Sequence, residues 1–140
     1  MASFLRPLLT GSPNNAGIVN ERTGAIVVSE VETAFESKTR NRGLLGRTRL
    51  PESTGLIIAP CNGVHTFFMR FPIDVVFISR DGIVRRVVSN LRPWRISASF
   101  GAYAVLETAA GVIKRSGTTR GDRLVVTTAA AGPPANGSAV

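Results

Sequence analysis

One thiol and one imidazole stand four positions apart, as Cys61 and His65, and the chain holds no other of either kind. In an extended segment, positions 61, 63 and 65 share a face, and Gly63 leaves that face bare between them. Such a pair can work as a thiolate–imidazole couple, or as two ligands of a metal completed by Asp74 or Glu107. The same two residues serve equally well as a small buried hydrophobe and a hydrogen-bonded loop imidazole. With one cysteine there is no internal disulfide and no Cys-rich zinc cage, and with one histidine no multi-histidine site. No metal or cofactor is therefore assigned.

Four other places carry polar groups in unusual company. Arg70 and Asp74 flank a corner made by Pro72. Arg70 can hold a carboxylate or phosphate through its planar fork while Asp74 orients it, or the two form a structural ion pair. Asp74 interrupts an apolar run and by alternation shares a face with Val76 and Ile78, where an unpartnered carboxylate is expensive. Glu107 alternates onto the face of Val105 and Tyr103. It either lines a cleft or stands on the solvent face of a one-sided sheet, and the second reading is the default. Trp94 and Arg95 suit a ring, a sugar or a peptide if exposed, and otherwise pack into the core. Arg47 follows a glycine-rich helix end, where it caps the last carbonyls or points into the same cleft. Asp81 and Asp122 belong to turns and are given no chemistry.

Short strands must position these residues. Ile18–Glu21 and Ala25–Ser29 flank Arg22-Thr23-Gly24 as a hairpin. Glu36–Leu45 reads as a short helix closed by glycine. Gly55–Ala59, Val64–Met69, Ile73–Ser79, Ile83–Val88, Ala102–Thr108 and Arg123–Thr128 read as strands, with Asp81-Gly82 the strongest hairpin signal. Leu91–Ile96 reads as an irregular crossing and Ala109–Ser116 as a turn or two of helix. No βαβ rhythm is visible. The expectation is a mainly β fold: an antiparallel sandwich or squashed barrel of about seven short strands with one or two short helices. Residues 1–17 are expected as an irregular leader, 18–128 as a single β-rich domain and 129–140 as a flexible tail.

The 140 residues suit one domain, and no apolar run is long enough to cross a membrane as a helix. The start lacks a secretory pattern, so a cytoplasmic address is the default. Net charge is +8, with arginine the main basic residue. That favours an anionic partner, nucleic acid or a membrane surface, but a GC-rich genome produces the same bias without one. There is no stacking motif, no Gly-x-x-Gly clamp and no zinc finger, so nucleic acid is not the expected partner.

Gly43-Leu44 with Arg47, Met69-Arg70, Pro72 with Asp74, Asp81-Gly82, Leu106-Glu107, Ala110-Gly111 and Gly121-Asp122 occur in order between Ile26 and Val126. Together they resemble the domain-of-unknown-function family 192 of small prokaryotic proteins. The link between Arg70 and Asp74 is shorter here than in many members, as in the branch with Cys-x-x-x-His before Met-Arg. The resemblance implies a β-sandwich-like fold carrying a helix and assigns no activity. It also implies many secreted or lipoprotein relatives.

The expected function is a small-ligand-binding β module. Its cleft lies near residues 60–74, with Arg47, Cys61, His65, Arg70, Asp74, Trp94 and Glu107 around a small anionic or polar ligand. The alternatives are a thiol- or metal-dependent enzyme using Cys61 and His65, and a basic nucleic-acid-associated protein. Oligomeric state is left open.

Overall fold

Three strands carry apolar side chains on both faces, so the sheet they build must be covered twice. They are β4 (Thr54–Ile58), β6 (Ile73–Ile78) and β9 (Ala104–Ala109). The structure, a computed structural model, describes residues 3–10 and 16–128. The expected tail at 129–140 lies outside the described residues.

With β3 (Glu30–Ala34) and β7 (Val84–Leu91), these strands form a five-stranded sheet in the order β3-β4-β9-β6-β7. β1 (Gly17–Asn20), β2 (Ile26–Val28) and β10 (Leu124–Thr127) form a second sheet, ordered β10-β1-β2. β5 (Gly63–His65) pairs with β8 (Ile96–Ala98) as a two-stranded ribbon. Three short helices complete the described residues: α1 (Arg6–Thr10), α2 (Ser37–Arg42) and α3 (Val112–Ser116).

Alternation along the central strands divides the interior into two cores. Val76, Ile78, Ala104 and Leu106 join Ile18, Val28 and Leu124 of the second sheet, together with Leu5 just before α1, Leu8 of α1 and Val112 of α3. Val75, Phe77, Val105, Leu56 and Ile58 face the other way, towards Leu44, Val64 and Met69. Gly55 makes the first contact possible, because a Cβ there would lie 2.7 Å from Leu106 Cδ1 and 3.1 Å from Val28 Cγ2.

The mainly β sandwich is as expected, but the sheets do not close into a barrel. Among the described residues, ten strands stand where about seven were expected, and three helices where one or two were. The unexpected strands β3 and β8 have only five and three residues, too few to show a period. The leader is not irregular throughout, since α1 lies within it and Phe4, Leu5 and Leu8 reach the core. A βαβ unit is present after all: β3 and β4 are parallel neighbours, joined through α2 over residues 35–53. The expected strand at Val64–Met69 stops at His65, because Met69 N–H donates to Thr66 O at 3.2 Å and turns the chain. The crossing at Leu91–Ile96 is irregular only between the end of β7 and the start of β8.

Candidate functional site

A cavity of about 390 Å³ opens at the carboxyl ends of the parallel pair β3 and β4, beneath α2. That is the end of parallel strands where open α/β sheets place their ligands. α2 is held there by its own ends. The Glu36 N–H donates to Thr39 Oγ1 at 3.2 Å, and Thr39 Oγ1 donates to Glu36 O at 2.9 Å. Gly43, at φ 48°, stops the helix while its N–H donates to Thr39 O. The segment then turns back so that Leu44 and Leu45 form an apolar wall.

Glu107 forms the acidic part of the lining. Its residues on either side of the sheet are Leu56 of β4 and Val75 of β6. The residue is only 4% exposed, and no hydrogen bond to its carboxyl is found among the described residues. Burial lifts its pKa from 4.5 to about 7, and the Arg47 charge offsets part of that rise. At neutral pH the group is poised between acid and carboxylate, able to donate or accept. The default reading of a solvent-facing Glu107 is therefore corrected: α2 and the 43–50 segment cover that face of the sheet.

Cys61 and His65 line the same cavity. The Cys61 N–H donates to Tyr103 O at 2.9 Å, anchoring the residue just past β4. Its thiol donates to Gly63 O at 3.0 Å, and burial pushes its pKa up, with the nearby Glu107 charge adding to the rise. The imidazole turns elsewhere: His65 Nδ1 accepts from the Phe67 N–H at 3.3 Å, and the ring stacks on Phe67 at 5.0 Å. No hydrogen bond joins the thiol to the imidazole, so no base is in place for a nucleophile. Among the described residues no three of His, Cys, Asp and Glu are placed to hold a metal.

The other four candidates lie outside the cavity. Asp74 is on the opposite face of the sheet, where its carboxylate accepts from the Asn90, Gly111 and Ile113 N–H groups at 2.8, 3.0 and 2.9 Å. Three backbone donors account for a buried carboxylate with no ligand needed. Arg47 is held by Glu32 of β3 through two bonds of 2.6 and 3.2 Å. It reaches Glu107 only through its field. Arg70 is exposed and makes no ion pair among the described residues, and Trp94 projects from its turn beside Phe67 and Phe68.

The helix expected within Glu36–Leu45 is present as α2, but sequence reasoning missed its place in the cavity wall. Arg40 and Arg42 line the cavity with Leu44 and Leu45, and Met69 closes another side. Arg40 donates to Phe35 O and to Ser37 Oγ, whereas Arg42 has no partner among the described residues. The signal was the crossover from β3 to β4, which a five-residue β3 concealed.

A family model described as DUF192, an uncharacterized ACR, matches residues 18–126. A crystal structure from Sinorhizobium meliloti, described as a proposed transcription regulator, is similar at TM-score 0.68 and 27% identity, over 78% of this chain and 89% of that one. A protein of unknown function from Novosphingobium aromaticivorans is similar at TM-score 0.68 and 25% identity, over 78% of this chain and 81% of that one. No curated protein matches the sequence.

Proposed function

The chain belongs to the DUF192 family, and on that premise we propose that it binds a small polar molecule in the cavity between α2, Cys61 and Glu107. The observation that carries this reading is the Glu107 carboxyl: buried, without a hydrogen-bond partner, and part of a cavity large enough for a small metabolite. A bare carboxyl on an apolar sheet face costs stability, and a ligand that hydrogen-bonds to it recovers that cost. Arg42, without a partner among the described residues, supplies a fork for an anionic group. The fitting ligand has an apolar body between a hydrogen-bond donor or cation at one end and an anion at the other, as in a small ω-amino acid.

The test is thermal unfolding against amino acids, small carboxylates, nucleotides and sugars. A ligand at a hundred times its Kd adds about 2.7 kcal/mol, which is roughly 5–10 °C for a chain of this size. The expected result is a rise with a zwitterionic or anionic compound that Arg42→Ala and Glu107→Gln both reduce. A flat panel, or a rise that both variants keep, overturns the reading. The enzyme alternative has less behind it, since among the described residues the thiol has no hydrogen-bonded base and no metal-binding cluster.

A further inference from the structure

Two turns project bulky apolar side chains into solvent, and one buried threonine locks them together. Thr66 Oγ1 donates to Arg92 O at 2.6 Å and accepts from the Arg95 N–H at 2.9 Å. Its backbone carbonyl accepts from the Trp94 N–H at 2.9 Å, and its N–H donates to Arg95 O at 2.8 Å. The turn at 66–69 and the turn at 92–95 therefore form one rigid piece at the end of the β5–β8 ribbon. Phe68, Trp94 and Ile96 stand on it 70%, 55% and 69% exposed. Trp94 lies against both phenylalanines, 5.9 Å from the Phe67 ring and 4.7 Å from the Phe68 ring. Phe68 and Trp94 also hold φ at 66° and 67°, a left-handed backbone that bulky residues adopt only at a cost. Strain that keeps aromatic rings in water has no folding rationale.

The charge around these rings has one sign. Residues 60–73 and 82–106 contain no aspartate or glutamate. Arg70, Arg92 and Arg95 are exposed and form no ion pair among the described residues. We propose that this face docks on an anionic lipid membrane, with Phe68, Trp94 and Ile96 entering the headgroup layer and the three arginines meeting the acidic headgroups. Protruding aromatic and aliphatic groups ringed by arginine have the composition of an interfacial anchor. A nucleic-acid platform needs open aromatic faces for bases to stack on, but here Phe67 and Phe68 crowd Trp94, and Ile96 offers no ring. The proposal is independent of the cavity and its ligand.

Trp94 is the sole tryptophan, so the site carries its own probe. The full chain is titrated with vesicles of phosphatidylcholine, alone and mixed with phosphatidylserine, and Trp94 emission and co-sedimentation are followed. The expected result is a blue shift and sedimentation with the mixed vesicles only, weakened by added salt. Phe68→Gly removes the ring and relieves the backbone strain, so it lowers partitioning about tenfold without loss of thermal stability. Arg92→Gln with Arg95→Gln leaves the apolar tip in place and lowers it similarly. No binding to mixed vesicles, or equal binding to neutral ones, overturns the proposal. So does a Trp94 response confined to single-stranded or duplex DNA, which assigns the surface to nucleic acid.

Discussion

Glu107 holds its proton in the folded chain to about pH 7, against an ordinary 4.5, and this fixes the sign of a measurable effect. Below about 4.5 the carboxyl is neutral in both states. As pH rises, the unfolded chain releases its proton first, so stability falls until the folded group ionises near 7. A shift of that size corresponds to about 3 kcal/mol. Glu107→Gln removes this dependence. Urea unfolding of the ligand-free protein at pH 5 and pH 8 should show the variant gaining on the wild type by roughly that amount; a constant difference would mean that the carboxyl is solvated. Cys61 gives a second prediction. Its raised pKa leaves little thiolate at neutral pH, so alkylation should be slower than for a free thiol. Glu107→Gln removes a neighbouring negative charge and should speed the reaction at pH 8. A thiol that reacts at once in the native wild type would revive the enzyme reading.

The element scale shows best which parts of the fold the sequence exposes. The Asp81-Gly82 and Arg22-Thr23-Gly24 hairpins are legible because the turn demands positive φ, found at Gly82 and Gly24. The strands β4, β6 and β9 are legible because their apolar runs are long enough to leave few alternatives. The ribbon β5–β8 is not, because Val64–Met69 has strand composition throughout and only the Thr66 hydrogen bonds decide where the strand ends. In the cavity, Cys61, His65 and Glu107 stand out by residue type, whereas the α2 wall depends on a parallel crossover that no local pattern announces. Asp74 was conspicuous for the right reason and points to the wrong conclusion. A carboxylate in an apolar strand does need partners, and it finds them in α3, whose Gly111 and Ile113 N–H groups it receives. This cap comes from another strand rather than from the helix's own sequence. Asp74→Ala should therefore cost about 3 kcal/mol, by leaving three N–H groups without their acceptor. Amide exchange should quicken at Gly111 and Ile113, with β4 little affected. Unchanged exchange there would show that α3 is held by Val112 packing alone.

At the scale of the whole molecule, the second sheet stays closed because chain segments about a hundred residues apart meet at one carboxylate. Asp122, just before β10, accepts from Arg22 Nε at 2.6 Å, from Asn20 Nδ2 at 2.9 Å and from the Thr119 N–H at 2.9 Å. Asn20 ends β1, and Arg22 lies in the turn towards β2 and also donates to Gly117 O at 2.8 Å. The cluster thus ties the first hairpin to the loop between α3 and β10, while β1 pairs with β10 directly. In a chain with net charge +8, a carboxylate that gathers one arginine and two neutral donors also relieves local repulsion. The Arg22 guanidinium holds the Asp122 carboxyl at about 2, below its ordinary 3.8. The stabilisation is therefore present above 3.8 and is lost as pH falls through about 2. Asp122→Ala should lower stability at pH 7 by about 2–3 kcal/mol, since buried donors lose their acceptor. Arg22→Ala should cost less, because Asn20 and Thr119 still satisfy the carboxylate and the arginine is largely in solvent. Urea unfolding from pH 7 down to acid should show the gap between wild type and Asp122→Ala narrowing only below about 3.8. A gap that stays constant into acid would place the contribution in packing rather than in charge.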